Sequence, residues 1–491
     1  MKAILSSAEM KACDKNTIEK HGLSSGLLME RAACTAADYI REKYPEADKL
    51  SILCGPGNNG GDGVALGRIL FLRGYDINIQ VIGDEDKFSQ GLKDEIQIAK
   101  SYDINITYGF NPAFFYHTDL LVDAMFGIGL SRGLTGEFLE AANYLNKSDI
   151  RVLSLDIPSG YSSDNGKCLG QAGVQADDTV TFSYMKKGLV LGECKEACGN
   201  VFLSDAGIYL DDDSDCAKLL DDSILEKIPQ RSLTSNKGSN GKVLVIAGSK
   251  GIYGACYLSA KAAMVSGAGM VKVYTHTVNL DSLRLSLPEA MYTGYESFDK
   301  DQLTFLLDWA DVVLIGPGLG SDHVSREILQ ATLSSATCPL VIDADGINIL
   351  SEDLSLLERH GKDFPLILTP HLKEMERLCG KAASDINYSM EETAKEFVDR
   401  YPCTLLLKNH TSLIASRAGV FYCTSGNQAL ATAGSGDVLA GITASLMAQG
   451  LETTDCACAA AYIHGKAGSL AAKELGIKGV LASNIISRIK L

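Results

Sequence analysis

No apolar run in this 491-residue chain reaches the roughly 20 residues needed to span a bilayer. Met1-Lys-Ala-Ile-Leu5 gives way at once to polar Ser6-Ser-Ala-Glu-Met-Lys11, which leaves no signal-peptide core. Those two absences make a cytoplasmic protein the expectation. An excess of basic charge is missing too. The net charge of −16 argues against a nucleic acid or an anionic membrane as partner, so any nucleotide must be held by local backbone amides and a few Lys or Arg residues. Metal-binding cysteine spacing is also lacking: the 14 cysteines are dispersed, and Cys194-x-x-x-Cys198 and Cys456-x-Cys458 have no second pair to complete a zinc site. Reduced, mostly buried thiols are expected, with Cys456 and Cys458 inside an Ala-rich helix. Low complexity is absent, since the 48 glycines are scattered among periodic segments.

What is present is a soluble globular composition, 46% hydrophobic and 22% charged, on a chain too long for one core. Two domains or three are expected. Tyr209-Leu-Asp-Asp-Asp-Ser-Asp215, extended by Asp221-Asp222, is a charge-rich break that reads as solvated surface and puts the boundary near residue 215.

In the first half, Ser6 or Ser7 can cap a helix running to about His21, and an amphipathic helix follows from about Leu27 to Lys43. Leu50-Ser-Ile-Leu-Cys54 reads as a buried strand opening into Gly55-Pro-Gly-Asn-Asn-Gly-Gly-Asp-Gly63, with a helix expected from Val64. Strand, glycine loop and helix form a phosphate cradle at the edge of a parallel sheet. Asn58, Asn59 and Asp62 add side-chain oxygens that a pure phosphate loop does not need, which suggests a hard cation or sugar hydroxyls as well. A plain structural turn is the alternative.

Strands follow at α/β spacing over Ile77 to Ile82, Asp119 to Ala124 and Arg151 to Asp156. The last two run into Asp123-Ala-Met-Phe-Gly-Ile-Gly-Leu-Ser-Arg-Gly133 and Asp156-Ile-Pro-Ser-Gly160. Sites in doubly wound sheets sit at such carboxyl ends, so Asn59, Asp123, Asp156 and Ser159 can converge on one crevice. Any one of these Asp residues alone would more often cap a loop.

The second half repeats the alternation. Lys242 to Ala247, Val271 to Tyr274, Asp311 to Ile315 and Leu340 to Asp343 read as strands. The loops after three of them are Gly248-Ser-Lys-Gly-Ile-Tyr-Gly-Ala255, Gly316-Pro-Gly-Leu-Gly320 and Asp343-Ala-Asp-Gly346. Leu366-Ile-Leu-Thr-Pro-His371 ends in a histidine that by itself is uninformative. Leu405-Leu-Leu-Lys408 delivers a lysine from an apolar strand, either to an anion or to a surface hairpin turn returning through Thr411 to Ala415. Ala431-Thr-Ala-Gly-Ser-Gly-Asp437 then runs into apolar Val438-Leu-Ala-Gly-Ile-Thr443. Small residues before a helix expose backbone N–H groups to an anion. Asp437, repelled by a phosphate, belongs there if it removes a proton from an attacking hydroxyl. Taken alone it would more often cap the helix.

Asn58 to Asp62, with Asp123-Ala-x-Phe-Gly-x-Gly-Leu130 and Asp156-Ile-Pro-Ser-Gly160, resembles the NAD(P)H-hydrate epimerase family over roughly residues 1 to 213. The resemblance implies a Rossmann-like three-layer α/β sandwich, residues 1–215, that interconverts the R and S forms of hydrated NADH and NADPH. It implies a potassium ion on Asn59, Asp123 and Ser159. It also implies substrate contacts from Asn58, Asn59, Gly60, Gly61 and Asp62, from Gly127, Ile128, Gly129, Leu130, Ser131, Arg132 and Gly133, and from Asp156, which would be the acid/base.

Nearly all of the stretch from residue 225 to 491 resembles the ribokinase-like superfamily, and within it the ADP- or ATP-dependent NAD(P)H-hydrate dehydratases, which implies a domain over residues 216–491. The carrying residues are Lys237-Gly238, Ala247-Gly-Ser249, Gly254-Ala255, Ser266-Gly-Ala-Gly269, Gly316 to Gly320, Asp343 to Gly346, Thr369-Pro-His371 and Gly434-Ser-Gly-Asp-Val-Leu-Ala-Gly441. The implication is a second three-layer sandwich in which the hydrated dinucleotide contacts Ala255, Gly318, His371 and Asp437. The adenine nucleotide, with magnesium, would contact Lys408, Asn409, His410, Thr411, Ser412, Gly434, Ser435 and Gly436. Where the family has Gly after that lysine this chain has Asn409, which tolerates positive φ, and Ser412 keeps a hydroxyl where Thr is usual. Asp437 would be the base for phosphorylation of the C6 hydroxyl. A homo-oligomer is implied as well. The rival readings are a vitamin-precursor kinase of the same superfamily fused to a nucleotide-binding domain, and a nucleotide sensor without chemistry.

Overall fold

Short apolar strands alternating with helices build two separate parallel sheets, one in each half of the chain. The computed structural model describes residues 1–210 and 216–491. The acidic stretch 211–215, and with it the boundary expected near residue 215, lies outside the described residues. Packing divides the chain into Ala3–Cys216 and Ala217–Leu491, the latter joined by Met1–Lys2.

In the first unit, Ser6 caps the helix Ser7–Glu19 through a reciprocal capping box with Glu9. Seven parallel strands lie in the order Ile106–Tyr108, Asp76–Val81, Lys49–Cys54, Leu120–Ala124, Arg151–Leu155, Asp178–Phe182, Asn200–Ser204. Chain order reverses between Lys49–Cys54 and Leu120–Ala124, which opens a crevice beyond their carboxyl ends. Helices Ser25–Lys43, Asn58–Leu72 and Gln90–Ser101 cover one face through Ala33, Leu66 and Leu92, and Glu137–Leu145 covers the other through Ala141 and Leu145. This is the Rossmann-like three-layer arrangement expected.

One local expectation is corrected. The helix expected from Val64 begins at Asn58, so Asn58 to Gly63 form its first turns and not a loop. Asn and Gly are poor helix formers, but Gly60 and Gly63 are selected here by close packing: a Cβ on Gly60 would lie 1.9 Å from the Gly55 carbonyl oxygen, and one on Gly63 would lie 2.5 Å from Ala124 Cβ.

The second unit contains strands in the order Met291–Tyr295, Met270–His276, Lys242–Ile246, Val312–Ile315, Leu340–Ile342, Leu366–Leu368, Thr404–Leu407, Ser412–Ser416, Gly419–Cys423, Lys218–Leu219. They are parallel except for the meander Thr404–Leu407, Ser412–Ser416, Gly419–Cys423. Order reverses between Lys242–Ile246 and Val312–Ile315. Helix Ser435–Ala448 is apolar nearly all round and buried, as expected of a helix inside the core. It packs so tightly on helix Gly254–Val265 that a Cβ on Gly441 would meet the Ser259 carbonyl oxygen at 2.3 Å. All fourteen cysteines are free thiols, and Cys456 and Cys458 are buried in helix Thr453–Leu475. Among the described residues no helix is long and apolar enough to cross a membrane.

The crevice of the first unit depends on a close approach of two backbones. A Cβ on Gly55 would sit 1.8 Å from the Met125 carbonyl oxygen, whereas one on Gly57 meets nothing within 4 Å. Gly55→Ala should therefore cost about 1–3 kcal/mol and lower the urea midpoint, while Gly57→Ala leaves it nearly unchanged.

Candidate active sites

At the switch point of the first unit lies a cavity of about 730 Å³. Asn58, Asn59 and Asp62 line it from the helix N-terminus, Gly127 to Leu130 from the loop after Leu120–Ala124, and Asp156 from the end of Arg151–Leu155. Asp156 adopts φ +68°, a conformation that non-glycine residues avoid and that concentrates at functional sites. That turn lets its amide donate to the Val180 carbonyl oxygen at 2.7 Å. Its Oδ1 pairs with Lys186 Nζ at 2.6 Å and accepts from Thr181 Oγ1 at 3.4 Å. Lys186, only 1% exposed, also donates to Thr181 Oγ1 and to the Phe182 carbonyl oxygen, both at 2.9 Å. The Ile128 amide approaches Asp156 Oδ2 at 3.4 Å.

Asp123 is fully buried and accepts four hydrogen bonds, from the Met125 amide (3.2 Å), Ser154 Oγ (3.0 Å), the Ser159 amide (2.9 Å) and Ser159 Oγ (2.7 Å). Burial pushes its carboxyl up, and the serine bonds act against that. Asn59 is buried, and among the described residues its Nδ2 has no hydrogen-bond partner. Its Oδ1 and Asp156 Oδ2 both lie next to the space a Gly127 side chain would fill, at 3.3 and 2.9 Å from that Cβ position. Asn59, Asp156 and the Gly127 loop therefore meet, and Asp123 and Ser159 bond to each other.

Several other expected residues do not line the cavity. Gly60 and Gly61 pack against Gly55 and Met29, Gly133 packs against Gly170, and Ser131 and Arg132 are exposed. Two groups that the sequence reading passed over do line it: Lys186, hidden in a Lys-Lys pair that looks like surface, and Asp14 on the first helix.

In the second unit, Asp437 sits in the first turn of helix Ser435–Ala448. The residue at the helix start is Gly434, at φ +83°, with no side-chain cap; the simple capping role for Asp437 is thereby excluded. The amides of Gly436 and Asp437 have no acceptor among the described residues, as the start of an uncapped helix requires. Lys408 closes the other side. Its Nζ lies 2.7 Å from Asp343 Oδ1 and 3.9 Å from Glu374 Oε2, and Thr369 Oγ1 donates to the same Asp343 oxygen at 2.8 Å. Gly436 lies beside this pair, since its Cβ position would be 3.5 Å from Lys408 Nζ and 3.8 Å from Asp343 Oδ2. Burial first, then the Asp343 charge, raises the Asp437 carboxyl to about 7, with Lys408 acting in the opposite sense.

His371 begins helix Leu372–Cys379. Its Nδ1 accepts from the Lys373 and Glu374 amides at 3.1 Å, which leaves Nε2 as the protonated nitrogen, 3.4 Å from Glu374 Oε1. Gly318, at φ +60°, packs against Ile252 and Ala255. Lys408 is no surface turn residue, although the hairpin after it is as expected.

Asn409 corrects a second expectation. Its φ is not positive; instead its amide Nδ2 donates to Asn387 Oδ1 at 2.8 Å and its Oδ1 accepts from the His410 amide at 2.9 Å. Tertiary hydrogen bonds, not tolerance of the left-handed region, explain Asn there. Thr411 is buried, and Ser412 begins the returning strand. His464, which sequence reasoning missed, lies 3.0 Å from Ser435 Oγ through Nε2. Burial and the Lys408 charge lower it to about 4, so it is neutral at ordinary pH. A lone His between apolar Ile463 and Gly465 in an Ala-rich helix was the available signal.

Comparison with known proteins agrees with this two-site layout. A family model described as NAD(P)H-hydrate dehydratase matches residues 243–491, and one described as YjeF-related protein N-terminus matches residues 25–188. The chain is 32% identical to the bifunctional NAD(P)H-hydrate repair enzyme of Coxiella burnetii, over 100% of this chain and 99% of that relative. It is 30% identical to the enzyme of the same description from Escherichia coli, over 98% of this chain and 92% of the relative. A solved ribokinase-like superfamily protein from Enterococcus faecalis is 32% identical with a TM-score of 0.50, covering 56% of this chain and 94% of its own. That likeness bears out the ribokinase-like fold of the second unit.

The environment of Asp437 has a consequence for stability. Its folded value near 7 exceeds the ordinary 3.8, so the fold disfavours its ionised form. Stability from this group is full below about pH 4 and is lost as pH rises towards 7. Asp437→Asn should therefore raise the thermal midpoint above pH 7 and change it little at pH 4, in melts followed by circular dichroism.

Proposed function

The chain belongs to the bifunctional NAD(P)H-hydrate repair enzymes, and on that premise we propose how its two sites divide the work. Its activities are epimerisation of hydrated NADH and NADPH and dehydration of the hydrate to NAD(P)H. We assign epimerisation to residues 1–215 and dehydration of the S form to residues 216–491. The observation that carries the assignment is the Asp437 site: a carboxylate and two amides that have no partner among the described residues, at a helix start facing a lysine.

In the first unit, Asp156 is the acid/base for the C6 hydroxyl of the hydrated nicotinamide ring, and Asn58, Asn59 and Asp62 with Gly127 to Leu130 hold the dinucleotide. A potassium ion fits beside them. Asn59, Asp123 and Ser159 offer oxygen ligands, and because Asn59 Nδ2 has no hydrogen-bond partner among the described residues, turning that amide's oxygen towards a cation breaks none at the nitrogen. Such an ion would supply positive charge beside the bound dinucleotide.

In the second unit, Ala255, Gly318 and His371 hold the hydrate against Asp437, while Lys408 to Ser412 and Gly434 to Gly436 hold ADP or ATP. Hydroxide is a poor leaving group, so the C6 oxygen is first phosphorylated. Asp437 removes its proton, the oxygen bonds to the terminal phosphorus, and the shortened nucleotide leaves. The Gly436 and Asp437 amides and Lys408 stabilise charge on the transferred group. Phosphate then departs from C6 as a proton leaves C5, which restores the ring double bond. Magnesium would enter on the nucleotide and neutralise phosphate charge, with Asp343 and Glu374 as the carboxylates beside Lys408 that would meet it. ADP is the expected donor, and the resemblance supports a homo-oligomer in the cytoplasm.

A mixture of both hydrate epimers with ADP or ATP, followed by NADH fluorescence, tests the assignment. The wild-type enzyme should convert the whole mixture. Asp156→Asn should convert the S half quickly and the rest only at the spontaneous epimerisation rate. Asp437→Asn should lower dehydration by about 100- to 10,000-fold. A stable phosphate ester accumulating in place of NADH would favour the vitamin-precursor kinase reading, and no NADH with either nucleotide would overturn the proposal.

A further inference from the structure

The helix Ser7–Glu19 contributes a carboxylate to the cavity of the first unit that the assignment above leaves unused. Asp14 stands next to buried Cys13, one turn from buried Met10, and lines the same cavity as Asp156. It is half-buried, and among the described residues its carboxylate makes no hydrogen bond and no ion pair. Asp156 is the opposite case, because Lys186 lies 2.6 Å from it. Burial, and after it the charge of Asp156, pushes Asp14 up to about 6, with Lys186 acting in the other direction. Asp62, also at the cavity wall, is pushed well above the usual carboxylate range by burial and by the Asp156 and Asp14 charges. Of the carboxylates that line the cavity, Asp156 is matched by a cation and Asp14 is left with a like charge, an arrangement that separates a base from an acid.

The reaction requires both. C6 of the hydrate carries a hydroxyl and is bonded to ring nitrogen N1, so its configuration can be inverted by opening and reclosing the ring. Removing the hydroxyl proton needs a base, and the departing nitrogen needs a proton. Asp156, whose Oδ1 is paired with Lys186, suits the first task, and the second needs another group.

We propose that Asp14 is a second catalytic residue of the epimerisation site, delivering a proton to N1 while Asp156 accepts the proton of the C6 hydroxyl. The inference rests on the assignment of epimerisation to this unit. In the forward step the O–H electrons form the C6=O bond, the C6–N1 bond breaks, and its electron pair on N1 takes the proton from Asp14. The product is an open-chain aldehyde. Rotation about C5–C6 presents the other carbonyl face. N1 attacks it, returning its proton to Asp14, and the oxygen recovers the proton held by Asp156. Both carboxyl groups end as they began, and no co-reactant is consumed.

The test uses the full chain and the R hydrate, with ADP or ATP present so that each S molecule formed is read out as NADH. Asp14→Asn and Asp14→Ser should each lower the epimerisation kcat at least 100-fold with KM within threefold of wild type. Asp14→Glu should recover at least a tenth of wild-type kcat. Dehydration of the pure S hydrate should stay within twofold in all three variants. Epimerisation by Asp14→Asn within threefold of wild type, a loss carried by KM alone, or an Asp14→Glu as inactive as Asp14→Asn would each overturn the proposal. Wild-type enzyme that leaves the R hydrate at its spontaneous rate would instead overturn the epimerase assignment, before any variant is compared.

Discussion

A lysine ammonium taken out of water is tolerated only beside an anion, and each unit of this protein uses that constraint to organise a site. Lys186 is locked to Asp156 at 2.6 Å, and Lys408 to Asp343 at 2.7 Å. Each lysine neutralises one aspartate and leaves a second carboxylate nearby without such a partner. The unmatched groups, Asp14 and Asp437, are the ones that burial and a neighbouring like charge raise to about 6 and about 7. A protonatable group with a value near the working pH is what proton transfer to a substrate requires. The cost appears as lost stability at neutral pH and as backbone strain, with Asp156 at φ +68° and Ala344, next to Asp343, at φ +47°.

The parallel sheets make this placement possible. In each unit two loops leave neighbouring strand ends, at the reversal of strand order in the first, and glycine lets their backbones touch. Gly55 meets the Met125 carbonyl in the first unit. Gly316, at φ +123°, meets the Asp343 carbonyl in the second, where a Cβ would lie 1.9 Å from that oxygen. The acidic and amide groups of the sites therefore stand on strand ends and helix starts, elements too rigid to drift when a nucleotide arrives.

Much of this was legible in the sequence, because apolar runs and glycine loops are local signals. The strands ending at Cys54, Ala124, Leu155, Ile246 and Ile315 were readable from their buried runs. So were the strand-end aspartates, Lys408 and the helix start at Gly434. Asp14 and Lys186 were not. An aspartate on a capped amphipathic helix and a lysine in a Lys-Lys pair both look like solvated surface until the fold turns them into one cavity. The early start of the Asn58–Leu72 helix was hidden for a related reason: close packing overrode the low helix propensity of Asn and Gly. Asn409 was misread because its constraint comes from Asn387, 22 residues earlier in the chain.

Each site relies on a carboxyl group that burial and a neighbouring like charge raise towards neutral pH, Asp14 to about 6 and Asp437 to about 7. Carboxyl-¹³C NMR titration of aspartate-labelled enzyme, with Asp14→Asn and Asp437→Asn spectra for assignment, measures them directly. One signal titrating near 6 and absent from Asp14→Asn, and one titrating near 7 and absent from Asp437→Asn, are the predicted result. Both groups titrating at about 4, as in unfolded chains, would contradict it.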